Sequence, residues 1–464
     1  MKKIIIYAVV AFLLSTAAHA RGFEVELAGD SISINANQVP LQDILRRLVD
    51  QGIKVRIDPR INPHVTASFE NREVQSGLDS ILKSTNHILI WRSVEGPLVS
   101  YERLEEIHVF KPGEKGLAVR LSKRSAHIIK TNDRDGSRYV ANEILLRLKQ
   151  GITLSEFQAL LRRIKGMVAE GNVATCVYRI RLPENTDVPS LIKSLVTEPG
   201  IAKTEPNYAY PIEAPYRPVN PDISSVSPAV SFTAVPGSSA PVAIIDTGLM
   251  DESALQGYVL ASLDAINPDD EISDPLGHGT QMALIAAGVV KPQGVSESIE
   301  SYNPIIPIRA FDDNGFISNF DIMRGIDFAL KHGARVINLS WGSETRSDFL
   351  EDNLNYAVSK GLIVVASAGN EPTGKPVYPA AYSSVIGVGA LGPDGKKWEK
   401  SNYGDFVIIQ APGFASLPVG YKGYPGTYAG TSISAAFTAN LIANYLSENP
   451  NANIKEVLNA LGER

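Results

Sequence analysis

Five short, almost uninterrupted apolar runs in the second half of the chain constrain its fold most. They read VAIID, IIPIRAF, RVINLS, LIVVASA and SVIGVGA, and stretches with helical spacing, such as residues 319–331 and 348–360, lie between them. Strands buried on both faces of a parallel sheet have this composition. Residues 241–464 are therefore predicted to form an α/β domain with a three-layer, doubly wound parallel sheet.

Four polar residues fall where these runs end or where helical stretches begin. Asp246 closes the first run in D-T-G, and Asn370 follows the fourth in A-G-N. His278 in G-H-G-T and Ser432 in G-T-S each open a helical stretch. Ligands of such sheets bind beyond the carboxyl ends of the strands, so these four side chains are predicted to converge there.

A hydroxyl, an imidazole and a carboxylate are the groups with which a serine hydrolyses a peptide bond. Asp246, His278 and Ser432 also follow the chain order Asp, His, Ser known for one such catalytic triad. Asn370 and the backbone N–H of Ser432 are the predicted donors to the oxyanion. Taken singly, such residues are more often helix caps or turn residues, but the four motifs together favour catalysis.

The D-T-G triplet at Asp246 leaves one alternative, because enzymes that use two carboxylates sharing a proton also contain it. The chain has a single D-T-G. That chemistry would therefore need a dimer, and it would leave the motifs at His278, Asn370 and Ser432 unexplained.

On these motifs, and on R-V-I-N-L-S-W-G and V-Y-P-A-A-Y between them, residues 241–461 resemble the subtilisin family of serine endopeptidases. The resemblance implies which residues contact the substrate side chain at P1, the residue before the cleaved bond. They are Ser340, Trp341, Gly342, Ala366, Ser367, Ala368, Gly369 and Val377. Val377 stands where the family often has glycine, which predicts a shallow pocket that prefers small or medium apolar residues. Gln281 and Ala436 depart from the family's usual histidine and proline, outside the triad.

The first 240 residues divide into four predicted segments. Residues 1–20 have the two lysines, apolar run and small-residue cleavage pattern of a signal peptide. Residues 21–110 form a small α/β module that resembles the short N-terminal domain of secretins and TonB receptors. Residues 136–212 read strand-helix-strand-helix-strand, contain E-P-N-Y near their end, and resemble the inhibitory propeptide of subtilisin-type proteases. The proline-rich residues 213–240 predict an exposed linker that contains the maturation site.

The predicted fold class is thus α/β, with two small α+β modules ahead of the sheet domain. The resemblances imply three partners: protein or peptide substrates, the chain's own propeptide as an intramolecular inhibitor and chaperone, and a secretion-system or outer-membrane protein bound by residues 21–110. Binding of such a secretion-system or outer-membrane protein is the basis of an alternative function, in which the chain is a docking protein whose protease domain acts only on itself. The signal peptide predicts an extracytoplasmic location, secreted or periplasmic.

Charge and cysteine content narrow the partners further. The net charge of −6 argues against nucleic-acid binding. Residues 241–464 carry 14 Lys+Arg and 25 Asp+Glu, a net charge of −11, which leaves +5 for residues 1–240 and predicts attraction between the two halves. The single cysteine, Cys176, excludes an intramolecular disulfide, and its alternating surroundings predict a buried thiol within a strand.

No cofactor is predicted to be required. Family members often bind calcium, but the stretch G-V-V-K-P-Q-G-V after the His278 helix has no side-chain carboxylate for it. Asp312, Asp313 and Asn314 match a calcium loop only in part, so a solvated turn is predicted there. Calcium stays open as the alternative.

Overall fold

The computed structural model describes residues 23–28, 31–50, 53–95, 100–112, 118–121, 127–172, 174–218, 240–268, 270–295, 302–422 and 424–462. The predicted signal peptide and most of the predicted linker lie outside these residues. The chain divides into two compact units, residues 1–124 and 125–464. In the part that is described, no helix combines the length and apolar character needed to cross a bilayer.

The first unit is built of two small sheets and two helices. Its elements are β1 (Glu24–Ala28), β2 (Ser31–Pro40), α1 (Leu41–Asp50), β3 (Lys54–Ile57), β4 (His64–Glu73), α2 (Val74–Leu82), β5 (Asn86–Glu95), β6 (Ser100–Phe110) and β7 (Val119–Arg120). The strand orders are β1-β2-β4 and β5-β6-β3-β7. The apolar residues at helical spacing in α1, Leu41, Ile44, Leu45 and Leu48, are all buried, so that one helix face lies on the core. β7 belongs to this unit although it follows residue 110.

The second unit begins with a smaller sheet, in what we call the propeptide-like segment (residues 127–212). Its elements are β8 (Ile129–Thr131), β9 (Arg138–Leu148), α3 (Leu154–Ile164), β10 (Met167–Asn172), β11 (Val177–Arg181), α4 (Val188–Leu195) and β12 (Ile201–Pro211). α3 begins with a reciprocal capping box between Thr153 and Glu156. Phe157 of α3 and Val188 of α4 enter the same core, so both helices cover one face of the sheet β10-β11-β9-β12.

The environment of Cys176 differs from the prediction. The prediction of a buried thiol within a strand is wrong, because Cys176 is exposed. It lies between β10 and β11 with a φ of 54°, the left-handed conformation of a tight turn. The alternating apolar and polar residues around Cys176 belong to β11, which begins only at Val177. This pattern did not reveal the preceding strand β10, so the turn at Cys176 was not predicted.

The remainder of the second unit, residues 240–462, is called the sheet domain. Its elements are β13 (Val242–Asp246), a 3-10 turn (Ser253–Leu255), β14 (Leu263–Asp264), α5 (His278–Ala286), β15 (Ile305–Arg309), β16 (Phe316–Ser318), α6 (Asn319–Lys331), β17 (Val336–Leu339), α7 (Asp348–Ser359), β18 (Ile363–Ser367), β19 (Val385–Leu391), β20 (Val407–Pro412), β21 (Phe414–Leu417), β22 (Gly426–Ala429), α8 (Thr431–Glu448) and α9 (Ile454–Gly462). Seven strands form one parallel sheet in the order β14-β15-β13-β17-β18-β19-β20.

Helices cover both faces of this sheet. Side chains of a strand point alternately to its two faces. In β13, Val242 and Ile244 enter one core with α5 and α8, whereas Ala243 and Ile245 enter another with α6 and α7. The burial of every residue in β13 explains its continuous apolar run, and the prediction of a three-layer, doubly wound sheet is confirmed.

The propeptide-like segment docks on the sheet domain by strand pairing. β12 runs antiparallel to β16, with Ala209 opposite Ser318 and Pro211 opposite Phe316. The small sheet therefore continues into the sheet domain, and main-chain hydrogen bonds fix the register of the segment's last residues.

Ion pairs add to this docking. Arg147 and Lys203 of the segment each lie 2.7 Å from Asp352 of the sheet domain. In a further pair the charges are reversed, with the acidic Glu170 in the segment and the basic Arg324 in the sheet domain. The pairs at Asp352 have the polarity expected from the net charges of the two halves.

His127 makes this docking sensitive to pH. Its Nε2 lies 2.8 Å from Asp321 Oδ2, and its backbone N–H donates to Asp312. Burial acts to lower the pKa of His127, but the hydrogen bond and charge of Asp321, with the charges of Asp312 and Glu143, outweigh it and raise the pKa. The pair therefore stabilises the unit fully below the ordinary imidazole pKa of about 6.5, and this contribution is lost as pH rises through the raised pKa.

We predict that His127→Gln lowers the melting temperature by a few degrees at pH 6 and by less at pH 9, because a hydrogen bond between charged groups contributes about 1.5–3 kcal/mol. Thermal unfolding across this range, in a Ser432→Ala background that keeps the chain uncut, measures the difference. His64→Gln, at an exposed position of the first unit, is the control. A destabilisation of equal size at both pH values would contradict the role of the charged imidazole.

Candidate active site

Asp246 and His278 form a buried pair at the carboxyl edge of the large sheet. Asp246 is the last residue of β13, and His278 is the first residue of α5. The distance from His278 Nδ1 to Asp246 Oδ1 is 2.7 Å, and both side chains are fully buried. The sequence prediction placed these two residues near each other, and the structure brings them into hydrogen-bonding contact.

Close packing of two turns holds this pair in place. The backbone N–H of Gly279 donates to Thr247 Oγ1 at 2.7 Å, which ties the start of α5 to the turn after β13. A Cβ at Gly279 would collide with the backbone of Gly248. Glycine at position 279 therefore allows the two turns to approach each other closely.

Asp274 fixes the N-terminus of α5, a role that sequence inspection missed. Its buried carboxylate accepts from the backbone N–H of Gly277 at 2.7 Å and of Thr280 at 2.8 Å. A carboxylate at this position satisfies N–H groups that have no partner within the helix. The spacing of Asp274 before the His278 helix was the available signal, since an aspartate just ahead of a helical stretch is a common cap.

The charge state of His278 follows from its neighbours. Burial acts to lower the pKa of His278, but the charge and hydrogen bond of Asp246 outweigh it, and Asp274 and Glu213 act in the same direction, so the pKa is raised. Nε2 of the imidazole is buried and has no hydrogen-bond partner among the described residues. With Nδ1 donating to Asp246, Nε2 of the neutral ring is the atom able to accept a proton.

Ser432 lies in the first turn of α8 and is almost fully buried, with 5% of its surface exposed. Its hydroxyl donates to the backbone oxygen of Ser340 at 3.1 Å, and the Ser340 hydroxyl donates to the Ser432 carbonyl at 3.1 Å. α5 and α8 pack in the same layer and contribute to one core. The structure thus joins Ser432 to the end of β17, and it does not form the hydrogen bond between Ser432 and His278.

Asn370 follows β18 and is held beside the N-terminus of α8. Its Oδ1 accepts from the backbone N–H of Thr431 at 2.9 Å and from the Thr431 hydroxyl at 3.0 Å. These contacts fix which end of the amide is the donor, so Nδ2 points away from Thr431. Nδ2 donates to Glu213 Oε2 at 3.2 Å.

The predicted substrate-contacting residues occupy two neighbouring strand ends. Ser340, Trp341 and Gly342 follow β17, and Ala366 to Gly369 span the end of β18 and the turn after it. Val377 lies between the two segments, because a Cβ at Gly342 would collide with Val377 Cγ1 and a Cβ at Gly369 would lie 3.6 Å from Val377 Cγ2.

Two of these residues lie in the core instead of facing the gap between the strands. Ala366 is fully buried within the hydrophobic core on the α6 and α7 face. The Trp341 ring belongs to the same core, donates its Nε1–H to the Ile245 carbonyl at 3.2 Å, and stacks on Tyr210 at a centroid distance of 5.5 Å.

Glu213 is the residue at this site that sequence analysis missed most clearly. It lies in the predicted exposed linker, yet its carboxylate accepts from both the backbone N–H and the side-chain amide of Asn370, at 3.3 and 3.2 Å. Burial raises the pKa of Glu213, against the opposing effect of the Asn370 N–H. Proline-rich composition suggested solvent exposure, and nothing in the sequence paired this carboxylate with an amide more than 150 residues later.

The carboxylates of the acidic turn before Gly315 are already paired within the protein. Asp312 accepts from the backbone N–H groups of Asn314 and Phe316, both at 2.9 Å, and Asp313 pairs with Arg309 at 2.7 Å. The turn is present as predicted, but Asp312 is buried instead of solvated because the His127 N–H also donates to it. Among the described residues, no group of three or more His, Cys, Asp or Glu side chains is placed to hold a metal ion.

Comparison with known protein families agrees with this geometry. The model described as the subtilase family matches residues 237–461, and the model described as the fervidolysin N-terminal prodomain matches residues 126–207.

Individual relatives extend the same result. Thermitase of Thermoactinomyces vulgaris is 34% identical over 221 residues, which cover 47% of this chain and 78% of thermitase. A thermophilic serine proteinase of Bacillus sp. (strain AK1) is 29% identical over 320 residues, 68% of this chain and 80% of that protein. The crystal structure of fervidolysin from Fervidobacterium pennivorans, a keratinolytic enzyme related to subtilisin, matches 70% of this chain with a TM-score of 0.52 and 26% identity. That match spans 57% of the fervidolysin chain.

The resemblance stated from the sequence motifs is confirmed, and the alternatives of a two-carboxylate protease and of a docking protein gain no support. The chain therefore belongs to the subtilase family, as a subtilisin-like serine endopeptidase that carries a prodomain of the fervidolysin kind ahead of its peptidase domain.

Proposed function

We propose that Ser432, His278 and Asp246 are the catalytic triad of this peptidase. Ser432 Oγ attacks the carbonyl carbon of the scissile bond while His278 Nε2 accepts its proton, and Asp246 holds the imidazole through Nδ1. His278 then donates the proton to the leaving amine, and water hydrolyses the acyl-enzyme.

One observation carries this proposal, the fully buried contact of 2.7 Å between His278 Nδ1 and Asp246 Oδ1. This contact supports His278 as the general base, because it engages Nδ1 and leaves Nε2 able to accept the Ser432 proton. The Ser432 hydroxyl, which is bonded to Ser340, can reach a different partner by rotation about one bond. Catalytic hydrogen bonds often form only when substrate is bound.

The oxyanion donors in this proposal are Asn370 Nδ2 and the backbone N–H of Ser432. The two Thr431 hydrogen bonds to Asn370 Oδ1 support this role, since they orient the amide before substrate arrives. A donor that is already oriented requires no reorganisation in the transition state. Together the hydroxyl, imidazole, carboxylate and amide supply every group that the hydrolysis needs, so we propose that no cofactor or metal takes part.

Residues 127–212, the prodomain, act in this proposal as an intramolecular inhibitor, and cleavage after them matures the enzyme. The pairing of β12 with β16 supports inhibition, and so do the hydrogen bonds between Glu213, which follows β12, and the proposed oxyanion donor Asn370. We further propose export through residues 1–20 and binding of an outer-membrane or secretion partner by residues 21–110. N-terminal sequencing of exported protein tests the export, since a sequence beginning at Met1 would contradict it, and co-purification with residues 21–110 deleted tests the partner.

We predict that Ser432→Ala lowers casein hydrolysis by several orders of magnitude, as loss of the nucleophile does in subtilisins, without changing the melting temperature. Ser434→Ala is the matched control: Ser434 lies in the same helix, is equally buried, and bonds to Ala411 instead of the site. Parent activity that persists in Ser432→Ala would contradict the triad.

In the parent, loss of activity after EDTA treatment would contradict the metal-free mechanism.

We predict that Val377→Gly shifts the P1 preference from small or medium apolar residues towards phenylalanine and tyrosine, because the valine methyl groups fill the space between Gly342 and Gly369. Cleavage of a peptide library by the mature parent and variant measures this preference. A parent enzyme that already cleaves best after phenylalanine, tyrosine or arginine would contradict the shallow pocket. Val457→Ala, at a fully buried valine of α9 in the other core, controls for a general loss of packing.

A further inference from the structure

The segment that follows β12 passes beside Asn370 and is held by backbone hydrogen bonds at both of its ends. Upstream, the Ile212 N–H donates to the Gly315 carbonyl at 2.8 Å, continuing the β12–β16 pairing. Downstream, Tyr216 and Ala429 exchange two backbone hydrogen bonds of 2.9 and 2.8 Å. Ala429 lies three residues before Ser432. Only residues 213–215 separate the two anchored positions, so these residues span the distance between Gly315 and Ala429.

Side chains reinforce the downstream anchor. The Tyr216 ring packs near Trp398 at a centroid distance of 6.1 Å, and Arg217 donates to the Pro425 carbonyl at 3.1 Å. The residues after the prodomain thus bind the peptidase domain in the way expected of the part of a substrate that follows the cleaved bond.

The carboxylate of Glu213 accepts hydrogen bonds from Asn370, the residue that in the proposed mechanism donates to the scissile carbonyl. Asn370 Nδ2 and the Asn370 backbone N–H both donate to Glu213 Oε2. A charged acceptor bonds more strongly than a neutral carbonyl does. While the carboxylate is there, the backbone carbonyl of Glu213 has no access to Asn370.

We propose that Glu213 is a brake on self-cleavage at the Glu213–Ala214 bond, a proposal that rests on the triad argued above. The bond is cut when the carboxylate leaves Asn370 and the Glu213 carbonyl takes its place. The next bond, Ala214–Pro215, is the poorer candidate because the proline ring replaces the amide hydrogen of its leaving nitrogen.

The step needs only water and the groups at the site. Ser432 Oγ bonds to the carbonyl carbon of Glu213, the C–N bond to Ala214 breaks, and the Ser432 proton passes through His278 to the Ala214 nitrogen. Water then hydrolyses the ester, which leaves a carboxylate at Glu213 and a new N-terminus at Ala214. Glu213 acts as a positioning residue, since it exerts its effect through Asn370.

The test compares full-length parent, Glu213→Ala and Glu213→Gln, made by cell-free synthesis, with the rate and position of cleavage followed by intact mass spectrometry. We expect Glu213→Ala to release the product that begins at Ala214 about tenfold faster or more, the effect of one lost hydrogen bond to a charged group, and Glu213→Gln to lie between. Glu184→Ala, an exposed glutamate of the prodomain, should match the parent.

Two further readouts separate a brake from a merely structural role. In a Ser432→Ala background, an added protease should cut the prodomain of Glu213→Ala at the same rate as that of the parent, because a loosened prodomain would be cut faster. Mature products of the parent and Glu213→Ala should also have the same mass and casein activity, since position 213 is removed.

Cleavage of Glu213→Ala at the parent rate or slower, or a first residue other than Ala214, would overturn this proposal while leaving the triad intact. If no form is cleaved and none hydrolyses casein, the proposed function fails, and the brake fails with it.

Discussion

The candidate active site depends on a buried hydrogen bond between the carboxylate of Asp246 and the imidazole of His278. Charged groups are costly to bury unless they are paired. The 2.7 Å contact between Asp246 and His278 meets this requirement, and it in turn requires close approach of the turn after β13 and the start of α5. Gly279 and Asp274 act on that approach, one by leaving room and the other by capping the helix. The proposed activity therefore depends on backbone packing as much as on the proposed triad residues.

The sheet domain also holds the prodomain through specific contacts. The short strand β16 accepts β12 by main-chain pairing, the way an extended peptide adds to a sheet edge. Basic residues of the prodomain meet Asp352, and His127 meets Asp321. Strand pairing sets the register, whereas the pair between His127 and Asp321 makes the strength of docking depend on pH. The register then brings Glu213 to Asn370.

Most of the fold could be predicted from local sequence patterns. Continuous apolar runs indicated strands buried on both faces, and α6 begins and ends at the predicted residues 319 and 331. The four polar motifs indicated a candidate site because the ends of parallel strands share one edge. Contacts between distant segments could not be predicted in this way. Glu213 at Asn370 and the Ser432 hydroxyl at Ser340 depend on docking and rotamers, which leave no periodic signal, and the turn at Cys176 was hidden within an alternating run.

The central claim, that Asp246 raises the pKa of a catalytic His278, is tested most directly by the pH dependence of kcat/KM for the mature enzyme and for Asp246→Asn. A protonated imidazole cannot accept the Ser432 proton, so activity should fall as pH drops through the raised pKa, above the ordinary value of about 6.5. Removing the carboxylate charge should move this acidic limb to lower pH, along with a large loss of rate. An acidic limb at the same pH in both enzymes would contradict the account.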